Sequence, residues 1–301
     1  MKLLRLRKAD ALPLALAGAY FLSIHWTMGL RPEHLLLAGF LVGCYFLHEK
    51  SRRFVLDFLP IAFFGILYDF LRIYPKAWAG PIHVQWPFEL ERALFGIPSG
   101  GDRVIPSFFL QDHHAAFLDV VTGLTYSLHM VIPIGFAFYA WIRNREFARR
   151  FNWTFFIVNL LAFATYIALP VAPPWYVQAF GFQPGDWSVA PQAAGLVHFD
   201  ALIGHPYFEG VYAKNAWVFG AIPSMHAGFP FLVVWYARTI LKKGLIPLVF
   251  FMLLVWFSAV YLAHHYVIDL IAGVFYVCVA ILIHRLLCPN KRKASSHASS
   301  A

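Results

Sequence analysis

The chain has 301 residues, of which 60% are hydrophobic and only 13% charged, with a mean hydropathy of +0.63. A soluble domain carries about a quarter charged residues. This chain cannot hide so much apolar surface in an aqueous core and takes lipid as the solvent for much of it. The net charge of +9 sits in short basic clusters between apolar runs, a pattern of membrane orientation and not of nucleic-acid binding.

Apolar runs of spanning length fall at 11–30, 34–48, 54–74, 115–141, 151–170, 220–240, 246–264 and 266–287. A helix needs about 20 residues to cross the hydrocarbon, so the chain is expected to be all-α, a polytopic membrane helix bundle of about eight transmembrane helices. The first run has no small-residue cleavage site and reads as a span, not as a signal peptide.

Basic clusters at Lys2–Lys8, Lys50–Arg53, Arg143–Arg150, Arg238–Lys243 and Arg285–Lys293 all fall on one side of an eight-span chain. That side is the cytoplasm, and it holds both termini. The long connections 75–113 and 171–218 then face outward. Their Trp175, Tyr176, Trp187, Phe208, Tyr212 and Trp217 suit the lipid headgroup level. Cys44, Cys278 and Cys288 show no paired spacing and read as buried small apolar side chains. The tail after Pro289 reads as a disordered cytosolic end. No glycosylation site falls in the connections expected to face outward and no luminal extension is evident, which points to a bacterial plasma membrane.

Two segments carry chemistry. In Phe219-Gly-Ala-Ile-Pro-Ser-Met-His-Ala-Gly228, Pro223 and Ser224 are helix-start residues. The N–H groups of the turn that follows, with the Ser224 hydroxyl, favour an anion. His226 in that turn can protonate a leaving oxygen, and Gly220 and Gly228 permit close approach. In Ser258-Ala-Val-Tyr-Leu-Ala-His-His-Tyr-Val-Ile-Asp269, His265 and Asp269 are four apart and share a face if helical. The carboxylate then orients one ring nitrogen and leaves the other to attack. An aspartate inside a span costs roughly 3 kcal/mol, so it needs a partner. Under eight spans both segments reach the outer surface.

Pro223-Ser-Met-His226 followed by His264-His-Tyr-Val-Ile-Asp269 resembles the second and third motifs of the type 2 phosphatidic acid phosphatase superfamily. Met225 before His226, the His264–His265 pair, Tyr166-Ile-Ala-Leu-Pro-Val-Ala-Pro-Pro-Trp175 and Tyr68-Asp-Phe-Leu-Arg72 are closer to its inositol phosphorylceramide synthase-like branch.

The resemblance covers roughly residues 60–287 and implies a six-helix core. It divides the chain into 1–53 as two additional N-terminal helices, 54–288 as the catalytic membrane domain and 289–301 as the tail. It implies that His265 attacks phosphorus, Asp269 orients it and His226 serves the leaving group. The cations of the phosphatase first motif are missing, since Tyr166 and Pro173-Pro174 stand there, and Ala259 follows Ser258 where the phosphatases have arginine. A phosphate clamp is therefore expected from the outward-placed basic residues Arg31, Arg72, Lys76, Arg92, Arg103 and Lys214. Of these Lys214 and Arg72 are favoured, with His264 as a further donor and Ser224 and Tyr166 beside the substrate.

The expected activity is transfer of a phospho-head group, such as phosphoinositol, from a phospholipid donor to a lipid acceptor hydroxyl such as that of ceramide. A phosphohistidine is the intermediate, and no metal or cofactor enters. A lipid phosphate phosphatase would use the same residues with water as acceptor. A proton-coupled transporter could use Asp269 and the histidines as a relay, but no inverted repeat is present. A di-iron hydroxylase is suggested only by the pairs His113–His114 and His264–His265. Asp69 and Arg72, three apart, are placed to pair, and His129 is expected to pack on Tyr126. His113, His114, Asp200 and His205 are expected on solvated outer loops.

Overall fold

In the computed structural model residues 11–289 are described, and they are mainly helical. The predicted tail from 290 on and the first basic cluster lie outside them. Two compact units divide at Tyr74 and Pro75.

The first unit holds α1 (Ala11–Thr27), α2 (Pro32–Leu47) and α3 (Glu49–Phe70). Its polar centre is Asp69, whose carboxylate accepts from the Arg31 guanidinium at 2.7 and 2.8 Å and from Arg72 Nε at 2.9 Å. His34 Nε2 lies 2.9 Å from the same carboxylate. Arg72 is thus engaged by Asp69 within its own unit, as their spacing suggested.

The second unit runs through α4 (Gln85–Phe95), a hairpin of β1 (Ile97–Ser99) and β2 (Asp102–Val104), and α5 (Pro106–Asp112). Then come α6 (Ala116–Ser127), α7 (Val131–Arg143), α8 (Arg145–Ala168), α9 (Pro174–Phe180), α10 (Leu196–Ile203) and α11 (Tyr207–Tyr212). It closes with α12 (Met225–Ala237), α13 (Leu245–Tyr261) and α14 (Val267–Leu287).

Helices α8 and α14 are each long and apolar enough to cross a membrane, and α6 with α7 forms a third such span bent by 44°. Helices α1, α12 and α13 and the stretch His34–Leu47 are apolar but shorter. The fold is a helical membrane-type bundle.

The fourth apolar run is therefore two helices, not one. Pro133 has no N–H for the carbonyl four residues back, at His129, and its ring crowds that carbonyl, so the helix breaks there. The long connections 75–113 and 171–218 also fold more than their composition suggested. Trp175, Tyr176, Phe208 and Trp217 are buried inside the protein. Asp200, expected on the surface, is buried and accepts the N–H groups of Phe208 and Glu209, both at 3.0 Å, at the start of α11. Cys278 and Cys288 are exposed, correcting their reading as buried residues, and Cys44 is intermediate.

Helix α12 packs between α13 and α14, and α14 lies along α8. The α12–α14 crossing is close because Gly273 has no side chain: a Cβ there would stand 2.2 Å from the Ser224 carbonyl oxygen. At that point Ser224 N–H donates to the Asp269 carbonyl at 2.9 Å. Gly273→Ala is expected to force the two backbones apart and destabilise the fold by about 1–3 kcal/mol, as overpacking does. A thermal melt in detergent reads the loss, with Gly135→Ala, where nothing lies within 4 Å, as the neutral control.

Candidate active site

The two predicted segments meet. Helix α12 starts at Met225 because the Ser224 Oγ accepts the Ala227 N–H at 3.3 Å, which puts His226 in the first turn. Ser224 is 0% exposed. Its hydroxyl serves as the helix cap and is not part of the pocket wall described below.

The second segment departs from a simple helical face. Helix α14 begins only at Val267, and His264 and His265 lie in the turn after α13. Ala263 takes a left-handed backbone with φ of 55°, which only a few per cent of non-glycine residues adopt. It turns the two histidines inward, and both their N–H groups donate to the Ala259 carbonyl, at 3.2 and 3.0 Å.

His265 Nδ1 faces the Asp269 carboxylate at 3.3 Å and the Ala221 carbonyl at 3.1 Å. Both are acceptors, so Nδ1 carries the proton and Nε2 is bare. His226 Nδ1 lies 3.0 Å from that Nε2 and is the donor of the pair. Asp269 is 0% exposed and also accepts the Tyr266 N–H at 2.8 Å. The arrangement is a line: buried carboxylate, oriented imidazole with an unprotonated nitrogen, and a second imidazole hydrogen-bonded to that nitrogen.

Aromatic rings fix the histidines. Tyr212, His264, Tyr126 and His226 form a column of near-parallel rings, with successive centroids 4.6, 5.2 and 4.1 Å apart. His129, at the α6–α7 break, presses its ring against His226 at 4.0 Å and bonds through Nδ1 to the Tyr126 carbonyl at 2.7 Å. Its packing on Tyr126 is as expected; its contact with His226 is not legible in the sequence, because it joins segments far apart along the chain.

A cavity of about 90 Å³ opens on this line. His226, His264 and His265 form its floor, and Tyr126, Tyr212, Trp175, Trp217, Gln192 and Asn215 are among its walls. Neither a lysine nor an arginine lines it. Tyr166 stands behind the wall, donating its hydroxyl to the Pro223 carbonyl at 2.8 Å. Lys214 is exposed at the end of α11, next to the wall residue Asn215.

Outside the cavity, the His113 ring stacks on Phe109. His114 bonds Asp119 at 3.2 Å and stacks on His198. Among the described residues no group of three or more His, Cys, Asp or Glu could hold a metal ion.

Lys76 lies behind the wall, its ammonium 3.6 Å from the centre of the Trp217 ring. Burial pushes its pKa down from 10.5 to about 8. The unfolded chain therefore holds the proton more tightly, and stability should rise as pH goes from about 8 to 10.5. Tryptophan fluorescence should titrate with a midpoint about pH 8 as the ammonium leaves the ring, and Lys76→Met should abolish that step.

A family model of the PAP2 superfamily matches residues 102–283. The phosphoinositol dihydroceramide synthase of Bacteroides thetaiotaomicron is 35% identical over 271 residues, covering 89% of this chain and 88% of that protein. The inositol phosphorylceramide synthase of Candida albicans is 29% identical over 230 residues, 76% of this chain and 47% of that one. The inositol phosphorylceramide synthase catalytic subunit of Schizosaccharomyces pombe is 28% identical over 238 residues, 77% and 53%. The chain thus spans about half the length of these fungal relatives. No solved structure matches. The chain belongs to the PAP2 superfamily, in its inositol phosphorylceramide synthase-like branch, and is a membrane lipid phosphotransferase.

Proposed function

We propose that the chain moves phosphoinositol from a phosphatidylinositol-type phospholipid to the hydroxyl of a ceramide-type lipid, through a phosphohistidine on His265. The observation that carries this is the bare Nε2 of His265, held by Asp269 and facing His226 at 3.0 Å. The substrate pair follows the bacterial relative, which is similar along nearly its whole length.

The reaction runs in two displacements. His265 Nε2 attacks phosphorus while the bond to the diacylglycerol oxygen breaks. Protonated His226 gives its Nδ1 proton to that oxygen, and diacylglycerol leaves. The acceptor hydroxyl then returns a proton to His226 Nδ1 as its oxygen attacks, and the nitrogen–phosphorus bond breaks. Asp269 keeps the His265 Nδ1 proton throughout and stabilises the charge that develops on the ring.

The cavity wall without lysine or arginine suits a phosphodiester, which carries one negative charge, better than a phosphomonoester. The first-turn N–H groups of α12, His264 and Lys214 are the donors we assign to it. Arg72 is committed to Asp69, which leaves Lys214 as the assigned cation. The proposal keeps eight spans, the division at residues 53 and 288, both termini in the cytoplasm, and the site on the outer face of a bacterial plasma membrane.

Purified protein given inositol-labelled phosphatidylinositol should pass label to a new lipid only when ceramide is present. His265→Ala should reduce transfer by about 10³-fold or more, and His226→Ala by about 10²–10⁴-fold. Free phosphate from phosphatidic acid with no lipid transfer would replace this reading by a phosphatase. Full activity in His265→Ala would remove the catalytic assignment.

A further inference from the structure

Glu91 takes no part in the chemistry above, yet it is a fully buried carboxylate, 0% exposed. It belongs to α4, far from the catalytic segments in sequence. Its Oε1 accepts the Val267 N–H at 2.8 Å and its Oε2 accepts the Ile268 N–H at 3.1 Å. These are the first two residues of α14, whose N–H groups have no partner within the helix.

Asp269 sits in the same first turn. Its Oδ2 serves the Tyr266 N–H at 2.8 Å and His265 Nδ1 at 3.3 Å, while its Oδ1 is buried with no hydrogen-bond partner. Four donors at one helix start are therefore divided between two acids. Glu91 takes Val267 and Ile268; Asp269 takes Tyr266 and His265.

Without Glu91 two partly buried N–H groups at the helix start would lose their acceptors, which is costly. The Asp269 carboxylate, with an unused acceptor in the same turn, is the group that would turn to relieve them. Any such turn lengthens the 3.3 Å bond to His265 and leaves the Ala221 carbonyl as the one remaining acceptor at its Nδ1.

We propose that Glu91 is a positioning residue for the transfer reaction: by capping α14 from another element it reserves Asp269 for His265 and so fixes the tautomer of the nucleophile. Burial pushes the Glu91 carboxyl up to about 7, and the two N–H bonds pull against that rise while Asp269 adds to it. The two bonds are thus made to a group whose ionised form offers both oxygens as acceptors. The inference rests on the phosphotransfer reading above for its kinetic consequence, but its structural consequence stands apart from it.

The test compares Glu91→Ala and Glu91→Gln with the unaltered chain and with His265→Ala. Label transfer is measured as kcat and KM, and histidine tautomers are read by ¹⁵N NMR of the detergent-solubilised protein. Glu91→Ala should lower kcat about 10- to 100-fold, the usual cost of losing an orienting partner, with KM for the donor lipid within about twofold. Glu91→Gln keeps one carbonyl acceptor and should fall between.

His265 should be a single Nδ1–H tautomer in the unaltered chain and a mixture in Glu91→Ala. Unchanged kcat in folded Glu91→Ala, or a lowered kcat with the His265 tautomer unchanged, would overturn the proposal. If Glu91→Ala does not fold, Glu91→Gln decides: kcat and tautomer both as in the unaltered chain would overturn it. If His265→Ala stays active, the phosphotransfer reading fails while the NMR comparison still judges Glu91.

Discussion

The site depends on one backbone contact. Where α12 meets α14, Ser224 donates its N–H to the Asp269 carbonyl, and the missing side chain of Gly273 lets the two chains come that near. Helices in lipid gain nothing from burying apolar surface against each other, so close packing through small residues and interhelical hydrogen bonds must hold them. Here the same contact that joins the helices sets the separation of His226 from His265. Trp256 reinforces it, donating its indole N–H to the Ala227 carbonyl at 3.1 Å from α13.

Around that contact the protein divides its polar groups by task. The extended pieces between helices are laced together: Val171 bridges His83 on one side and Gly220 on the other. That lacing brings the Ala221 carbonyl to His265. The cavity itself is walled by rings and amides. Charge is kept behind it, with Asp269 under His265, Glu91 under α14, and Lys76 on the far face of Trp217. In the proposed reaction a negatively charged head group in this cavity meets the imidazoles of His226, His264 and His265 before any lysine or arginine.

Much of the geometry of the candidate site is legible because its contacts are local. Pro223 and Ser224 announce a helix start, and His226 follows by counting. His265 and Asp269 sit at a spacing that allows contact whether or not the helix extends between them, so the pairing survived the later start of α14. The run lengths gave the helical membrane class, and Pro133 could have shown the break at His129, four residues before it. Glu91 offered no such sign, since its partners lie more than 170 residues away and are backbone groups. Gly273 reads as one more glycine in an apolar run until the Ser224 carbonyl is seen above it. The burial of Asp200 and of Trp175 and Trp217 escapes the sequence for a related reason. Composition marks a segment as polar or aromatic, but burial there is decided by short helices that pack on distant parts of the chain.

The wedging of His226 has a kinetic consequence. Its ring is held between Tyr126 at 4.1 Å and His129 at 4.0 Å, so it cannot readily turn over to present its other nitrogen. In the proposed reaction one nitrogen must then release a proton to the departing alcohol and collect one from the arriving alcohol. Both alcohols need the same seat. The first product has to vacate before the second substrate docks, which is a ping-pong order imposed by the packing of a single imidazole. Diacylglycerol and the acceptor lipid become rivals for one place, and the accumulation of the first would slow the enzyme without any regulatory site.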